Sequence, residues 1–192
     1  ARALGARAVR VVPSGVAIPE HVPPPDEPAH VLYAGRLSEE KGVAELLEAT
    51  AGIPRVIVGD GPLRAQVPDA VGFVPPGELG PYFERASVVV CPSRREGYGV
   101  VAREAMAYGR PVVASAVGGL VDAVEDGVTG LLVPARDPVA LRAAVGRLLA
   151  EPELRRRMGE TARERAVERF SWAAATRAAL AAYQAVSSPA DP

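Results

Sequence analysis

The stretch Glu96-Gly97-Tyr98-Gly99-Val100-Val101-Ala102-Arg103-Glu104 carries two carboxylates eight positions apart, with two glycines close behind the first. The apolar run from Val100 to Tyr108 reads as a helix. The unbonded N–H groups and positive dipole end at a helix start suit an anion such as phosphate. Glu104 falls about five residues into that helix, roughly 7 Å along its axis. Helical side chains lean toward the N-terminus, so its carboxylate reaches back over the loop. Glu96 stands in the loop itself, on the other side of the anion. Two carboxylates would repel a bare phosphate. They suit a ligand whose phosphates lie between two sets of hydroxyls, and a nucleoside diphosphate sugar has that layout: sugar, diphosphate, ribose. The plainer alternative is one glutamate capping its helix and a second on an exposed face.

A diphosphate needs positive charge, and Arg36 and Lys41 supply it from one loop, Gly35-Arg36-Leu37 followed by Lys41-Gly42. Arginine grips phosphate oxygens bidentately, while lysine delivers a compact point charge. Of the 22 basic residues, 21 are arginine, so the single lysine at this place marks a need for an ammonium. Other signals point away from alternative chemistries. Gly59-Asp60-Gly61 opens like a dinucleotide fingerprint, but Arg64 holds the third glycine position, which disfavours a nicotinamide cofactor. There is no Asp-x-Asp pair, and His21 and His30 lie in a proline-rich segment without partner ligands, so no metal is expected. Cys91 reads as a small core residue and Arg155-Arg156-Arg157 as a solvated helix face.

These residues need a frame. Short Val-, Ile- and Leu-rich runs read as strands near Val9 to Val12, Val31 to Ala34, Val56 to Val58, Val71 to Val74, Val88 to Cys91, Val112 to Ala114 and Leu131 to Val133. Helical patterns fall between them over Glu39 to Ala51, Glu78 to Ala86, Val100 to Tyr108, Leu120 to Glu125 and Pro138 to Ala150. Continuous apolar strands are strands covered on both faces. The reading is therefore an α/β, doubly wound (Rossmann-like) parallel sheet of about six strands flanked by helices. Only twelve residues separate Val58 from Val71, so any helix there has one or two turns. Residues 1–150 form the Rossmann-like domain, and residues 151–186 two C-terminal helices broken at Phe170-Ser171, with Ser171 as N-cap. Residues 187–192 read as a frayed tail. In the last helix Trp172, Thr176, Leu180 and Tyr183 share one mostly apolar face, which predicts weak self-association. Ligands bind outside the carboxyl ends of parallel strands, and every unusual loop named above falls at that edge. Glycines there also make ordinary βα turns.

Composition closes off several classes. The chain has 192 residues, a formal net charge of −1 and one cysteine. Near-neutral charge argues against a nucleic-acid partner, and the lone thiol against a disulfide framework, which suits the cytoplasm. No apolar run approaches the ~18 residues of a membrane span.

Taken in order, the motifs resemble the C-terminal, donor-binding domain of family 4 of the GT-B glycosyltransferases, the retaining group marked by an E-x7-E motif. Val12-Pro13-Ser14-Gly15-Val16 resembles the lead-in to that domain, with Ser14 where the family more often has asparagine. Gly35-Arg36-Leu37 with Lys41-Gly42 resembles its diphosphate loop, Glu96 and Glu104 the motif glutamates, and Gly109-Arg110-Pro111 and Gly127-Val128-Thr129-Gly130 its later blocks. The resemblance implies one half of a GT-B fold that transfers sugar from a UDP-, GDP- or ADP-sugar, with neither metal nor further cofactor. It implies that Glu96 binds sugar hydroxyls and Glu104 the ribose. Backbone at Gly35, Gly59, Gly97, Tyr98, Gly99 and Val100 would approach the donor. Arg36 and Lys41 would hold the diphosphate, and Phe73-Val74 would meet the base. Glu96, Arg36 and Lys41 would act in catalysis. The partner would be an N-terminal acceptor domain of the same protein, onto which the last helix packs. The full-length enzyme would be peripheral to a membrane, and the isolated chain inactive. The short segment Leu63 to Asp69 departs from the family beside the base site. The alternatives are a non-catalytic nucleotide-sugar-binding module of the same fold, or an NAD(P)-dependent oxidoreductase domain.

Overall fold

β-Branched side chains fit a pleated, covered surface, and the runs that carry them pair as five parallel strands. They are β1 Val31–Ala34, β2 Arg55–Val58, β3 Val88–Cys91, β4 Val112–Ser115 and β5 Gly130–Val133. The computed structural model describes residues 12–187. The strand order is β2-β1-β3-β4-β5. The chain therefore reverses its direction of growth at the β1–β3 junction, and a crevice opens beyond the carboxyl ends of those two strands.

Alternate side chains of each strand feed two cores. Val31, Tyr33, Ile57, Val90 and Val113 pack with α1 (Val43–Ala49) and α5 (Pro138–Ala150) on one face. Leu32, Ala34, Val89, Cys91 and Ala114 pack on the other with α2 (Gly80–Arg85), α3 (Val100–Ala107) and α4 (Gly119–Ala123). α6 (Pro152–Arg165) closes the end of the sandwich, giving Leu154 and Met158 to the first core and Ala162 to the second. A π-helical turn, Ala166–Phe170, leads to α7 (Trp172–Ser187), with the Ser171 hydroxyl accepting from the Ala174 N–H at 3.1 Å as an N-cap. Cys91 is a core residue as expected, and burial pushes its thiol up to about 12. Among the described residues no helix is long and apolar enough to cross a membrane.

Several expectations need correction. Val71 to Val74 is not a strand: one isolated bridge joins Gly72 to Gly59, and Val71 donates to the Ile57 carbonyl at 2.8 Å. The segment lies beyond the outermost strand, where Gly72 is left-handed at φ 97° and Pro75-Pro76 stop any ladder. The helix expected from Glu39 is a 3-10 turn, Glu39–Lys41, then a break at left-handed Gly42 before α1. Arg155 is buried rather than solvated; it donates to the Leu148 and Leu149 carbonyls at 3.1 and 3.2 Å, which the end of α5 leaves unpaired. The strand expected over Val9 to Val12 lies outside the described residues except for Val12, which is in no strand; of the tail expected over 187–192, Ser187 belongs to α7 and the rest lies outside the described residues.

Candidate functional site

Two loops meet at the crevice. After β1, the Tyr33 hydroxyl donates to the Arg36 carbonyl at 2.9 Å and fixes the first turn. Gly42 then brings this loop against the one after β3: its φ is 71°, and a Cβ there would lie 1.9 Å from the Pro92 carbonyl oxygen. The Arg94 N–H donates to the Glu40 carbonyl at 2.8 Å, and its guanidinium pairs with Glu45 at 2.7 Å. The knitted loops place Lys41 Nζ 2.7 Å from Glu96 Oε2, and the Ser93 hydroxyl reaches the same oxygen at 3.3 Å. Burial by itself would raise the Glu96 pKa. The Lys41 ammonium outweighs it, with help from the Gly99 N–H and Ser93, and holds the carboxyl below its ordinary value.

Two neighbouring hollows lie here, and the pair lines the smaller of them. The deeper, about 40 Å³, is lined by Gly35, Lys41, Ser93, Glu96, Gly99 and Val101. The wider cleft, about 380 Å³, is lined by Gly35, Arg36, Gly59, Asp60, Phe73, Val74, Leu79 and Val101. Gly35 and Val101 belong to both. Among the described residues the exposed Arg36 guanidinium has no ion pair or hydrogen bond, so its donors are available to a ligand. Phe73 is 72% exposed at the cleft, a large apolar ring turned to solvent.

Glu104 stands three residues after Val101 on α3, hence on the same helical face one turn deeper. Its half-buried carboxylate has no ion pair or hydrogen bond among the described residues, and burial raises its pKa. Gly97 is exposed, and a Cβ there would meet no protein atom. Val100 is exposed at the start of α3. Tyr98 turns its side chain out of both hollows: its hydroxyl donates to the Ser14 carbonyl at 2.7 Å. The structure thus gathers Gly35, Arg36, Lys41, Gly59, Phe73, Val74, Glu96 and Gly99 along one crevice. Gly97 and Val100 stand on exposed backbone beside it, Glu104 stands behind Val101, and Tyr98 contributes no side chain.

Sequence reasoning missed Arg103. It is 3% exposed and sits between the rings of Tyr98 (3.8 Å) and Phe170 (4.6 Å). A lone charge in the run Val100-Val101-Ala102-Arg103 was the available signal. It also missed Gly118 and Gly119 as packing positions: a Cβ at Gly118 would lie 1.9 Å from the Glu96 carbonyl oxygen. Among the described residues no three His, Cys, Asp or Glu side chains gather as a metal site. A larger hollow, about 790 Å³, lies at the opposite end of the sheet beside Pro23, Ser87 and Pro111. Three of its arginines spend donors on carbonyls, Arg110 on Phe83, Glu84 and Pro23, Arg163 on Ala107 and Pro19, and Arg155 on Leu148 and Leu149, while Arg156 pairs with Glu153 and Glu160. It is a packing groove.

Comparison with known proteins finds a family and a fold that the chain matches. The family description "Glycosyl transferases group 1" matches residues 17–165. A D-inositol 3-phosphate glycosyltransferase of Frankia alni is 46% identical over 127 residues, covering 65% of this chain and 31% of that protein. An alpha-D-kanosaminyltransferase of Streptomyces kanamyceticus is 37% identical over 169 residues, covering 78% of this chain and 44% of its own length. The solved sucrose-phosphate synthase of Thermosynechococcus elongatus superposes with a TM-score of 0.84 at 34% identity, over 95% of this chain and 53% of that one. Anabaena HepE, solved in complex with UDP-glucose, shares the fold at 24% identity and a TM-score of 0.72, over 82% of this chain and 49% of its own. The chain spans about a third to a half of the length of these relatives.

Proposed function

The chain belongs to the glycosyl transferases group 1 family, and from that premise we propose that it is the donor-binding half of a retaining, metal-independent glycosyltransferase using a nucleoside diphosphate sugar. The observation that carries the reading is the Lys41–Glu96 pair, 2.7 Å apart in a small hollow that shares Gly35 and Val101 with the cleft holding Arg36, whose guanidinium is unpaired among the described residues. A carboxylate for sugar hydroxyls, cations for the diphosphate, and an apolar cleft for the base follow one another along the β1–β3 crevice. Glu104 on the next turn of α3, its carboxylate without a partner among the described residues, is available to the ribose hydroxyls, as an E-x7-E pair requires.

Sugar transfer breaks the bond between the anomeric carbon and the diphosphate oxygen and forms one to an acceptor hydroxyl. Negative charge grows on the leaving diphosphate. Arg36 and Lys41 meet that charge with donors already in place, so they contribute more in the transition state than in the ground state. Glu96, kept ionised by Lys41, orients the sugar through its hydroxyls. Attack comes from the face the leaving group departs from, and the acceptor's proton passes to the leaving phosphate; configuration is retained. Phe73 and Val74 cover the base, and the free, buried Cys91 thiol suits a reducing compartment such as the cytoplasm.

Calorimetric titration with UDP, GDP, ADP and NAD tests the reading. One nucleoside diphosphate should bind and NAD should not. Glu104→Ala should weaken that binding by about 1–3 kcal/mol, the worth of hydrogen bonds to a charged group. Saturation by NAD would favour an oxidoreductase, and an unaffected Glu104→Ala would strip that residue of its role.

In this reading the acceptor is held by a second domain and read by residues outside this chain. The isolated 192-residue chain should therefore bind donor yet transfer no sugar in a radiolabelled-donor assay. Turnover by the chain alone would show that both substrates are held here.

A further inference from the structure

Arg103 and Tyr98 do more than fill space. The Arg103 guanidinium donates to the carbonyls of Tyr98, Gly99 (3.4 Å) and Gly119 (3.3 Å), and Gly119 in turn donates to the Glu96 carbonyl at 3.1 Å. One buried cation thus holds the backbone of the loop that presents Glu96. Its guanidinium carbon lies over the Tyr98 ring, 3.8 Å from the centroid, and over the Phe170 ring, 4.6 Å away. A desolvated guanidinium between two aromatic faces is a strong, directional contact. Both rings belong to a second structure. The Tyr98 hydroxyl donates to the Ser14 carbonyl at 2.7 Å, and the Phe170 carbonyl accepts from the Val16 N–H at 2.8 Å. Val16 bridges Ser171, and the Trp172 ring packs on Gly15. This is the junction from which the N-terminal segment and α7 lead away.

We propose that Tyr98 and Arg103 are positioning residues that couple the Glu96–Gly99 loop to the junction of Ser14–Val16 with Phe170–Trp172. The inference rests on the donor-binding reading above and adds a direction to it: occupancy of the loop is felt where the chain leaves this domain, and movement there reshapes the loop.

Trp172 is the chain's single tryptophan, so its fluorescence reports on the junction alone. The 192-residue chain is titrated with UDP, GDP and ADP while calorimetry follows binding independently. Wild type should change its Trp172 emission as the bound nucleotide saturates. Tyr98→Phe keeps the ring over Arg103 and deletes only the hydroxyl that reaches Ser14; at saturation its Trp172 response should be lost. Arg103→Met should lose the response too. A folded Tyr98→Phe that no longer saturates also counts for coupling, since among the described residues the deleted hydroxyl bonds Ser14 alone and lines neither hollow. An undiminished response in Tyr98→Phe overturns the proposal, as does a wild type that saturates by calorimetry while Trp172 stays silent. A wild type that binds none of the three nucleotides overturns the donor-binding reading itself, and the coupling falls with it.

Discussion

Replacing Lys41 with methionine should weaken nucleoside diphosphate binding by roughly 2–4 kcal/mol, roughly 30- to 1,000-fold in Kd. The ammonium has two tasks. It presents positive charge to the diphosphate, and it keeps Glu96 ionised in a half-buried place. Methionine keeps the length of the side chain and removes both. The effect also has a pH signature. The Glu96 pKa is depressed in the fold, so its contribution is complete above the ordinary carboxyl value of 4.5 and is lost only as pH falls through the lower folded value. Without Lys41, burial is opposed only by the Gly99 N–H and the Ser93 hydroxyl, and the pKa rises. The acid limb of donor binding should therefore move to higher pH in Lys41→Met, measured calorimetrically from pH 4 to 8. A variant that binds as wild type does, with its acid limb unmoved, would leave Lys41 outside the site.

Gly42→Ala should be strongly destabilising. A left-handed φ of 71° costs an alanine about 1–2 kcal/mol. The new Cβ would also lie 1.9 Å from the Pro92 carbonyl oxygen, a backbone atom that cannot rotate aside. Together these should cost about 3–5 kcal/mol, among the larger effects of a single substitution, and lower Tm by roughly 6–20 °C. Gly52→Ala is the control: its φ is 74°, but no atom lies within 4 Å of the added methyl, so only the conformational cost of about 1–2 kcal/mol remains. Thermal melts of the two variants separate collision from backbone strain. Gly42→Ala should also lose nucleotide affinity, because pushing the loops apart draws Lys41 away from Glu96. Equal melting of the two variants would mean that the loops have room the structure does not show.

Much of the site was legible because its signals are local. A carboxylate eight residues before another, glycines at a strand-to-helix turn and a single lysine in an arginine-rich chain are facts about neighbours in sequence. The sheet was legible for the same reason: a strand covered on both faces must be apolar at every position, and Val31–Ala34, Val88–Cys91 and Val112–Ser115 nearly are. Val71 to Val74 misled because periodicity registers apolar side chains and cannot see that the segment lies beyond the last strand, with Phe73 facing solvent. Arg155 misled for a related reason. A run of three arginines looks solvated until the end of α5 is known to lie beneath the first of them.

The order of elements, the two-sided burial of the strands and the identity of the charged groups at the strand ends were determined by the sequence itself, through covalent neighbours and helical or strand periodicity. Tertiary structure alone decided which groups pair. Lys41 and Glu96 lie 55 residues apart and meet only because Gly42 lets two backbones touch. Arg103 holds the Glu96 loop only because Phe170, 67 positions later, returns to cover it. Contacts of that range depend on how strands order themselves in a sheet, and no local pattern of side chains carries that order.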